Sequence, residues 1–266
     1  KPAPGGGGGN TTGASWNGGG LPLAATGKVF FSMSGSRWVC SGSVVTDNKS
    51  DRSIVLSAGH CAWDDAAAAF ATNWIFVPAY DLTPGASCDG STGTGRFTYG
   101  CWTAQSLVVN KGFSTQPGFT TAATTYDWSF AVMGAGGNSI TQLDETVGSF
   151  ALAIPGLSLN ANAYSFGYPA ASPYTGSDLV YCAGPVSNDP YNGGVTWGLN
   201  CNMTGGASGG PWMSSFNTTT KSGKLSSLNS YKYTSDKKHM YGPKFNASTQ
   251  ATYNAALIAN SNTEVN

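Results

Sequence analysis

Residues 203–212 read MTGGASGGPW, which places Ser208 among four glycines. Glycine tolerates positive φ and lets other groups approach the backbone closely, so such a loop can present a serine hydroxyl for chemistry. That hydroxyl becomes a good nucleophile only when a base takes its proton, and the base is usually histidine. An ordinary glycine-rich hairpin would have the same composition, so the loop indicates catalysis only if the chain supplies a partner.

The search for that base is short because the sequence contains only two histidines, His60 and His239. His60 follows the apolar stretch SIVLSA and is next to Cys61, so we expect it at the end of a rigid strand. This position suits a general base. The alternative is a histidine that only packs beside a disulfide.

A neutral histidine base needs an acceptor for its second ring nitrogen, and a buried carboxylate serves best. Asp127 opens the apolar stretch DWSFAVM and has no cationic residue near it in the sequence. If Asp127 is buried it requires a specific partner, whereas if it is exposed it only begins or caps a strand. The backbone N–H groups of Gly206 and Ser208 could stabilise the oxyanion of a tetrahedral intermediate.

In chain order, the stretches SAGHC, YDWSFAV and GGASGGP resemble the histidine, aspartate and serine motifs of the chymotrypsin-like serine proteases. The first strands and the end of the chain are similar to the bacterial and fungal branch that includes the V8-like glutamyl endopeptidases. The resemblance implies a secreted serine endopeptidase with Ser208 as nucleophile, His60 as general base and acid, and Asp127 orienting His60. It also implies that the N–H groups of Gly206 and Ser208 form the oxyanion hole.

The six cysteines form an even number, which predicts three disulfides and an oxidising compartment. A metal site is the alternative, but the sequence contains no CxxC pair. The resemblance implies that Cys40 pairs with Cys61 beside the catalytic histidine and that Cys182 pairs with Cys201 before the nucleophile. Cys88 and Cys101 then form a local link.

The resemblance also suggests which residues line the specificity pocket, and none of them is charged: Asn202, Met203, Thr204, Leu228, Asn229 and Ser230. A pocket without charge leaves an ionised side chain poorly paired, so we predict an uncharged residue before the cut bond. Asn229 stands where glutamyl endopeptidases have a histidine. Ala207 stands where animal members have the aspartate that receives the new N-terminus after activation.

Many short strand-like stretches separated by turn signals predict an all-β protein. The resemblance implies a more specific fold, namely two antiparallel six-stranded β-barrels followed by a C-terminal α-helix. We expect a flexible glycine-rich segment over residues 1–21, a barrel with His60 and Asp127 over 22–135, a barrel with Ser208 over 136–247, and the helix and tail over 248–266.

Composition narrows the choice of partners. The net charge is zero and charged residues make up 10% of the chain, which argues against nucleic acid and anionic membranes. We expect polypeptide substrates, proteinaceous inhibitors and a monomer. The mechanism requires no cofactor or metal, and no acidic cluster with calcium-ligand spacing is present.

Two other functions fit parts of the sequence. GASGG matches the G-x-S-x-G nucleophile elbow of α/β-hydrolases, a fold that also needs an acid and then a histidine after the serine. Only Asp236, His239 and Glu264 follow Ser208, and the segment before it lacks alternating strands and helices, so a lipase or esterase is disfavoured. A latent or non-catalytic binding module on the same fold is the second alternative.

Overall fold

The computed structural model describes residues 10–266 of the chain. Eighteen strands are present in this part: β1 (Thr11–Ser15), β2 (Thr26–Met33), β3 (Ser36–Val45), β4 (Ser53–Ser57), β5 (Trp63–Asp64), β6 (Ala69–Phe70), β7 (Thr72–Pro78), β8 (Trp102–Asn110), β9 (Ser129–Met133), β10 (Asn162–Gly167), β11 (Val180–Pro185), β12 (Ser187–Asn188), β13 (Thr196–Asn200), β14 (Pro211–Asn217), β15 (Ser222–Leu228), β16 (Tyr231–Tyr233), β17 (Asp236–Pro243) and β18 (Thr263–Val265). The helices are short: α1 (Gly20–Ala25), α2 (Lys111–Ser114), α3 (Thr121–Thr125), α4 (Leu143–Val147) and α5 (Ala247–Ala256), with 3₁₀ turns at Gly59–Cys61 and Tyr80–Leu82.

The first half of the chain forms a closed barrel. Its strands follow the order β8-β7-β2-β3-β4-β9, and an additional antiparallel pairing of β8 with β9 closes the ring. β9 lies between β4 and β8, and the whole SFAVM run is buried, which explains why it has no polar alternation. Large apolar side chains are buried on both faces of the barrel wall, among them Val29, Ile54, Leu56, Phe76, Val108, Phe130 and Met133, and Phe130 packs against Tyr253 of α5.

The second half forms two antiparallel sheets that pack around their own core. One sheet has the order β1-β11-β10-β14-β15 and the other β12-β13-β17-β16. A separate apolar cluster fills this half: Ala163, Val180, Cys182, Val186, Trp197, Leu199, Cys201, Met203, Ala207, Trp212 and Met240. The predicted all-β class with a C-terminal helix is confirmed.

Helix α5 begins with a capping box between Asn246 and Thr249, which satisfies backbone N–H groups at its first turn. Its Thr252 hydroxyl accepts a hydrogen bond of 3.1 Å from the Trp128 indole at the start of β9. The C-terminal helix therefore packs against the first barrel close to Asp127, although it follows the second in sequence.

The N-terminal segment differs from the sequence-based expectation. Residues 1–9 lie outside the described residues, but 10–21 do not form the flexible lead that glycine content predicted. β1 pairs with β11 at the edge of the second-half sheet, and Trp16 is buried. The edge of a neighbouring sheet, rather than local propensity, makes this glycine- and threonine-rich stretch a strand.

Three disulfides connect Cys40 with Cys61, Cys88 with Cys101, and Cys182 with Cys201. These are the three pairs given in the sequence analysis. Among the described helices, none has the length and apolar character needed to cross a bilayer.

A buried lysine links the two halves of the molecule. Lys28 on β2 lies over the Tyr80 ring at 4.5 Å and donates a 2.8 Å hydrogen bond to the Gly176 carbonyl in the second half. Burial lowers the pKa of the Lys28 amine. The contact adds to the backbone hydrogen bonds that hold the halves together at the site described next.

Candidate active site

His60 lies on a 3₁₀ turn directly after β4, at the end of a strand as the sequence predicted. The disulfide from Cys61 to Cys40 ties this turn to β3. The ring of Phe119 packs edge-on against the imidazole with centroids 5.4 Å apart. The histidine is thus held from three directions, and its side chain remains 28% exposed.

Asp127 is completely buried and directs both carboxylate oxygens at His60. Oδ1 accepts a 2.8 Å hydrogen bond from the His60 backbone N–H, and Oδ2 is 2.8 Å from His60 Nδ1. The Ser230 hydroxyl donates to the same Oδ2. The specific partner that a buried carboxylate requires is therefore present, and the pairing leaves His60 Nε2 for chemistry.

The loop that carries Ser208 turns three successive carbonyls into the protein. Gly206 O accepts from the Ser41 hydroxyl at 2.9 Å, Ala207 O accepts from the Asn229 side-chain amide at 3.1 Å, and Ser208 O accepts from the Ser41 N–H at 2.7 Å. Within residues 10–266, the backbone N–H groups of Gly206 and Ser208 have no acceptor. Two N–H groups without an internal acceptor are available to bind an oxyanion.

Glycine at position 209 is a steric requirement of this loop. Its φ is +80°, and an added Cβ would lie 2.2 Å from Ser57 Oγ and 2.4 Å from the Ser41 carbonyl. The Gly209 N–H donates to the Asn229 carbonyl at 2.7 Å. The loop is therefore packed directly against β3 and the end of β4, next to the turn of His60.

A cleft of about 600 Å³ joins these groups. Four of the residues predicted from the sequence line it: His60, Gly206, Ser208 and Ser230. The rest of its wall comes mainly from the β2–β3 hairpin and from apolar and acidic side chains around His60: Phe31, Met33, Trp38, Trp63, Asp64, Asp65, Phe113 and Phe119.

No family model and no curated protein matches the chain, whereas solved structures do. The protease Anisep from Arthrobacter nicotinovorans is 38% identical over 93% of this chain and 100% of its own, with a TM-score of 0.76. The thermostable serine protease AL20 from an extremophilic microorganism is 33% identical over 90% of this chain and 100% of its own, with a TM-score of 0.74.

The chain belongs to the chymotrypsin-like serine proteases. A Glu endopeptidase structure, 17% identical over 92% of this chain and 96% of its own with a TM-score of 0.64, shares the fold. The protein is a serine endopeptidase, as the resemblance implied.

The predicted pocket residues of the protease occupy different environments. The side chains of Met203, Leu228 and Asn229 are fully buried, and Met203 belongs to the second-half core. Asn202 is exposed and Thr204 half-buried, with the Thr204 hydroxyl donating to Ala171 O at 2.7 Å. The structure thus brings Ser230 into the cleft but directs these other side chains into the protein or along its surface.

Asn229 holds the loop that carries Ser208 in place. Its Oδ1 accepts hydrogen bonds of 2.7 Å from both the Ser165 hydroxyl and the Trp212 indole, and its Nδ2 donates to Phe166 O and Ala207 O. All of its polar side-chain atoms are used inside the protein. At this position the amide braces the loop.

Two residues of the site were missed by the sequence reasoning. Ser41 supports the loop that carries Ser208, and the signal was a small polar residue directly after Cys40. Lys232 donates from Nζ to Cys201 O at 2.7 Å and to Met203 O at 3.1 Å, so it spans the two segments predicted to form the pocket. Burial lowers the pKa of Lys232 to about 8, opposed by the charge of Asp236. The signal was a lysine two positions after Ser230.

Asp127 should move the rising limb of the pH–rate profile to higher pH. Burial opposes a charge on His60, but the charge and hydrogen bond of Asp127, with a smaller effect of Asp65, outweigh it and raise the His60 pKa above 6.5. A histidine base accepts a proton only in its neutral form, so with His60 as the candidate base kcat/KM should rise with pH through a limb above 6.5. A pH–rate series on a neutral peptide measures this limb, and a rate that is flat from pH 5 to 8 would contradict it.

Proposed function

We propose that this protein is a secreted endopeptidase that cuts peptide bonds through an acyl-enzyme on Ser208. One observation carries the proposal: a cleft that contains Ser208, a histidine oriented by a buried aspartate, and a loop with two free N–H groups. A latent or non-catalytic protein on the same fold would not need these three features together.

In the proposed reaction, His60 Nε2 takes the proton of the Ser208 hydroxyl as Oγ bonds to the substrate carbonyl carbon. The carbonyl π electrons move to oxygen, and the N–H groups of Gly206 and Ser208 stabilise the resulting charge. Asp127 stabilises the imidazolium. His60 then gives its proton to the leaving amine as the C–N bond breaks, and a water activated by His60 releases the acid product and restores Ser208.

The proposal is tested by labelling with a fluorophosphonate, which reacts with activated serines. We expect a single adduct by intact mass, mapped by peptide analysis to Ser208, and no adduct on the heat-denatured protein. No adduct on folded protein would favour the latent or non-catalytic alternative. An adduct on another serine would mean that the nucleophile has been assigned wrongly.

Secretion, partners and oligomeric state belong to the same proposal. Three disulfides in one chain suit an oxidising compartment, which supports secretion. The substrates are polypeptides, a protein inhibitor could occupy the same cleft, and the protein acts as a monomer. Size-exclusion chromatography with light scattering tests the last point.

The preference for an uncharged residue before the cut bond needs a test that includes Lys232. We expect peptides with Lys or Arg at that position to be cut about tenfold more slowly or worse than uncharged peptides, because the Lys232 ammonium, bonded to Cys201 O and Met203 O, places a positive charge beside the predicted pocket residues and like charges repel. Replacing Lys232 with methionine should reduce the difference.

A peptide panel that varies only this residue measures the preference. The pKa of Lys232 is about 8, so most of its amine is neutral at pH 9. Discrimination against basic peptides should therefore also be smaller at pH 9. If glutamyl peptides were cut faster than all others, the expected preference would be contradicted. That result would assign the Lys232 ammonium to binding the substrate carboxylate.

A further inference from the structure

The segment 201–206 leads into the nucleophile and has no regular secondary structure; we call it the approach loop. One side of it is held by Ala170 and Ala171, which bond to the Gly205 carbonyl and the Thr204 hydroxyl. Its other side contacts strand β1, which lies far away in sequence. The Asn202 N–H donates a 2.8 Å hydrogen bond to the Thr12 carbonyl.

Tyr174 joins β1 to the approach loop a second time. Its hydroxyl hydrogen-bonds to Asn202 Oδ1 and lies 3.5 Å from the Gly13 carbonyl. Opposite Thr12 in the β1–β11 ladder is Cys182, whose disulfide partner Cys201 begins the approach loop. Two hydrogen-bonded contacts and one covalent link therefore converge on residues 201 and 202.

β1 has a firm anchor of its own. Immediately after it, Trp16 donates its backbone N–H to Leu179 O at 2.7 Å and is 8% exposed. Its ring packs edge-on against Phe166 and Tyr181, both with centroids 5.2 Å away. Since Trp16 is fixed in the core, the strand before it can transmit position to the loop that it touches.

Gly13 shows how closely β1 and the approach loop fit. It occupies the irregular position of the ladder, with φ at +134°. An added Cβ would lie 1.9 Å from Asn202 Oδ1 and 2.3 Å from Tyr174 Oη. A methyl group here displaces the Asn202 and Tyr174 side chains and breaks the hydrogen bond between them, which is one of the contacts that hold Asn202.

We propose that β1 is a positioning element of the catalytic site, which sets the approach loop and thereby the oxyanion N–H groups of Gly206 and Ser208. The proposal rests on the function proposed above. From Asn202 the path to Gly206 is four residues long, with Met203 fixed in the core and the Ala207 N–H bonded to Thr204 O at 3.2 Å. A displacement at Asn202 therefore acts on the segment that carries these N–H groups, and complete loss of one oxyanion donor costs about 10²–10³ in kcat.

The test is Gly13→Ala in the full chain, with Gly93→Ala as the matched control. Gly93 also has positive φ, at +77°, but its added Cβ would meet nothing within 4 Å. We expect Gly13→Ala to lower kcat at least tenfold with KM changed less than threefold, an unshifted pH limb and slower fluorophosphonate labelling. Gly93→Ala should retain wild-type kcat.

Tyr174→Phe supplies a milder variant that keeps the ring and removes only the two hydroxyl contacts. It should lower kcat several-fold. The control is Tyr99→Phe, which should leave kcat unchanged because the Tyr99 hydroxyl has no hydrogen-bond partner within the described residues. If Gly13→Ala does not fold, Tyr174→Phe decides the question alone. A folded variant of either kind with wild-type kcat would overturn the role of β1.

A background lacking both clashing groups separates contact from backbone strain. In a protein that carries Asn202→Ala and Tyr174→Phe, adding Gly13→Ala should cost little further activity, because the atoms that Cβ would meet are gone. An equal loss in both backgrounds would assign the effect to strain at residue 13 and overturn the proposal. Failure of wild-type protein to react with the fluorophosphonate would instead overturn the proposed function itself.

Discussion

Alanine in place of Ser208 should lower kcat for peptide hydrolysis by about six orders of magnitude. The substitution removes the only atom that is proposed to bond to the substrate, while binding and the oxyanion N–H groups remain. Because Ser208 is half-buried and its hydroxyl makes no hydrogen bond within residues 10–266, the melting temperature should change little. Active-site titration and steady-state rates on one peptide measure the loss.

Ser261→Ala is the control for this experiment, since Ser261 is exposed near the C-terminus and far along the chain from the cleft. It should show wild-type rates. A Ser208→Ala protein that retains more than about one thousandth of wild-type kcat would show that another nucleophile, or water activated directly, carries the reaction.

Asparagine in place of Asp127 should lower kcat by about four orders of magnitude. The substitution keeps the size of the side chain but replaces a charged acceptor by an amide, so His60 is no longer held in the tautomer that frees Nε2. It also removes the charge that raises the His60 pKa, so the rising limb of the residual activity should move to lower pH. Rates measured from pH 5 to 9 test both effects.

The matched control is Asp144→Asn, in which an aspartate that accepts a 2.6 Å hydrogen bond from Ser53 loses its charge outside the cleft. We expect full activity from this variant. The kcat of Ser230→Ala should lie between those of Asp127→Asn and Asp144→Asn. Asp127 would keep both bonds to His60 and lose only the Ser230 hydroxyl. Equal rates for Asp127→Asn and Asp144→Asn would remove Asp127 from the mechanism.

The strands and the candidate catalytic residues could be predicted because their signals are local. The apolar run before His60 and the one after Asp127 both form strands of the first barrel, β4 and β9. The glycines around Ser208 include two with positive φ, Gly206 and Gly209, a backbone conformation that favours glycine. In each case the local backbone conformation and the neighbouring residues in the chain favour that residue type, so the sequence alone indicates it.

The pocket was harder to predict because its geometry depends on where a strand stops. The stretch KLSSLNSYKY, residues 224–233, has no proline or glycine that would interrupt a strand, but β15 ends at Leu228 and β16 begins at Tyr231. Between them, the Asn229 backbone bonds to Gly209 and Gly210 of the nucleophile loop instead of a neighbouring strand. This pairing is long-range in sequence and buries Asn229. Lys232 on β16 bonds to Cys201 O and Met203 O. No local pattern shows which distant backbone groups these two residues contact.

The strand β3 has a consequence for how the protease loses activity on heating. Adjacent residues of β3 hold the proposed base and the proposed nucleophile, since Cys40 is bonded to Cys61 beside His60 and Ser41 bonds to the Gly206 and Ser208 carbonyls. Partial melting that breaks the Ser41 hydrogen bonds would leave the turn of His60 tied to β3 by the disulfide and would release the loop that carries Ser208. We therefore expect a heated population to contain intact molecules that cut peptides and partly unfolded molecules that are cut by them.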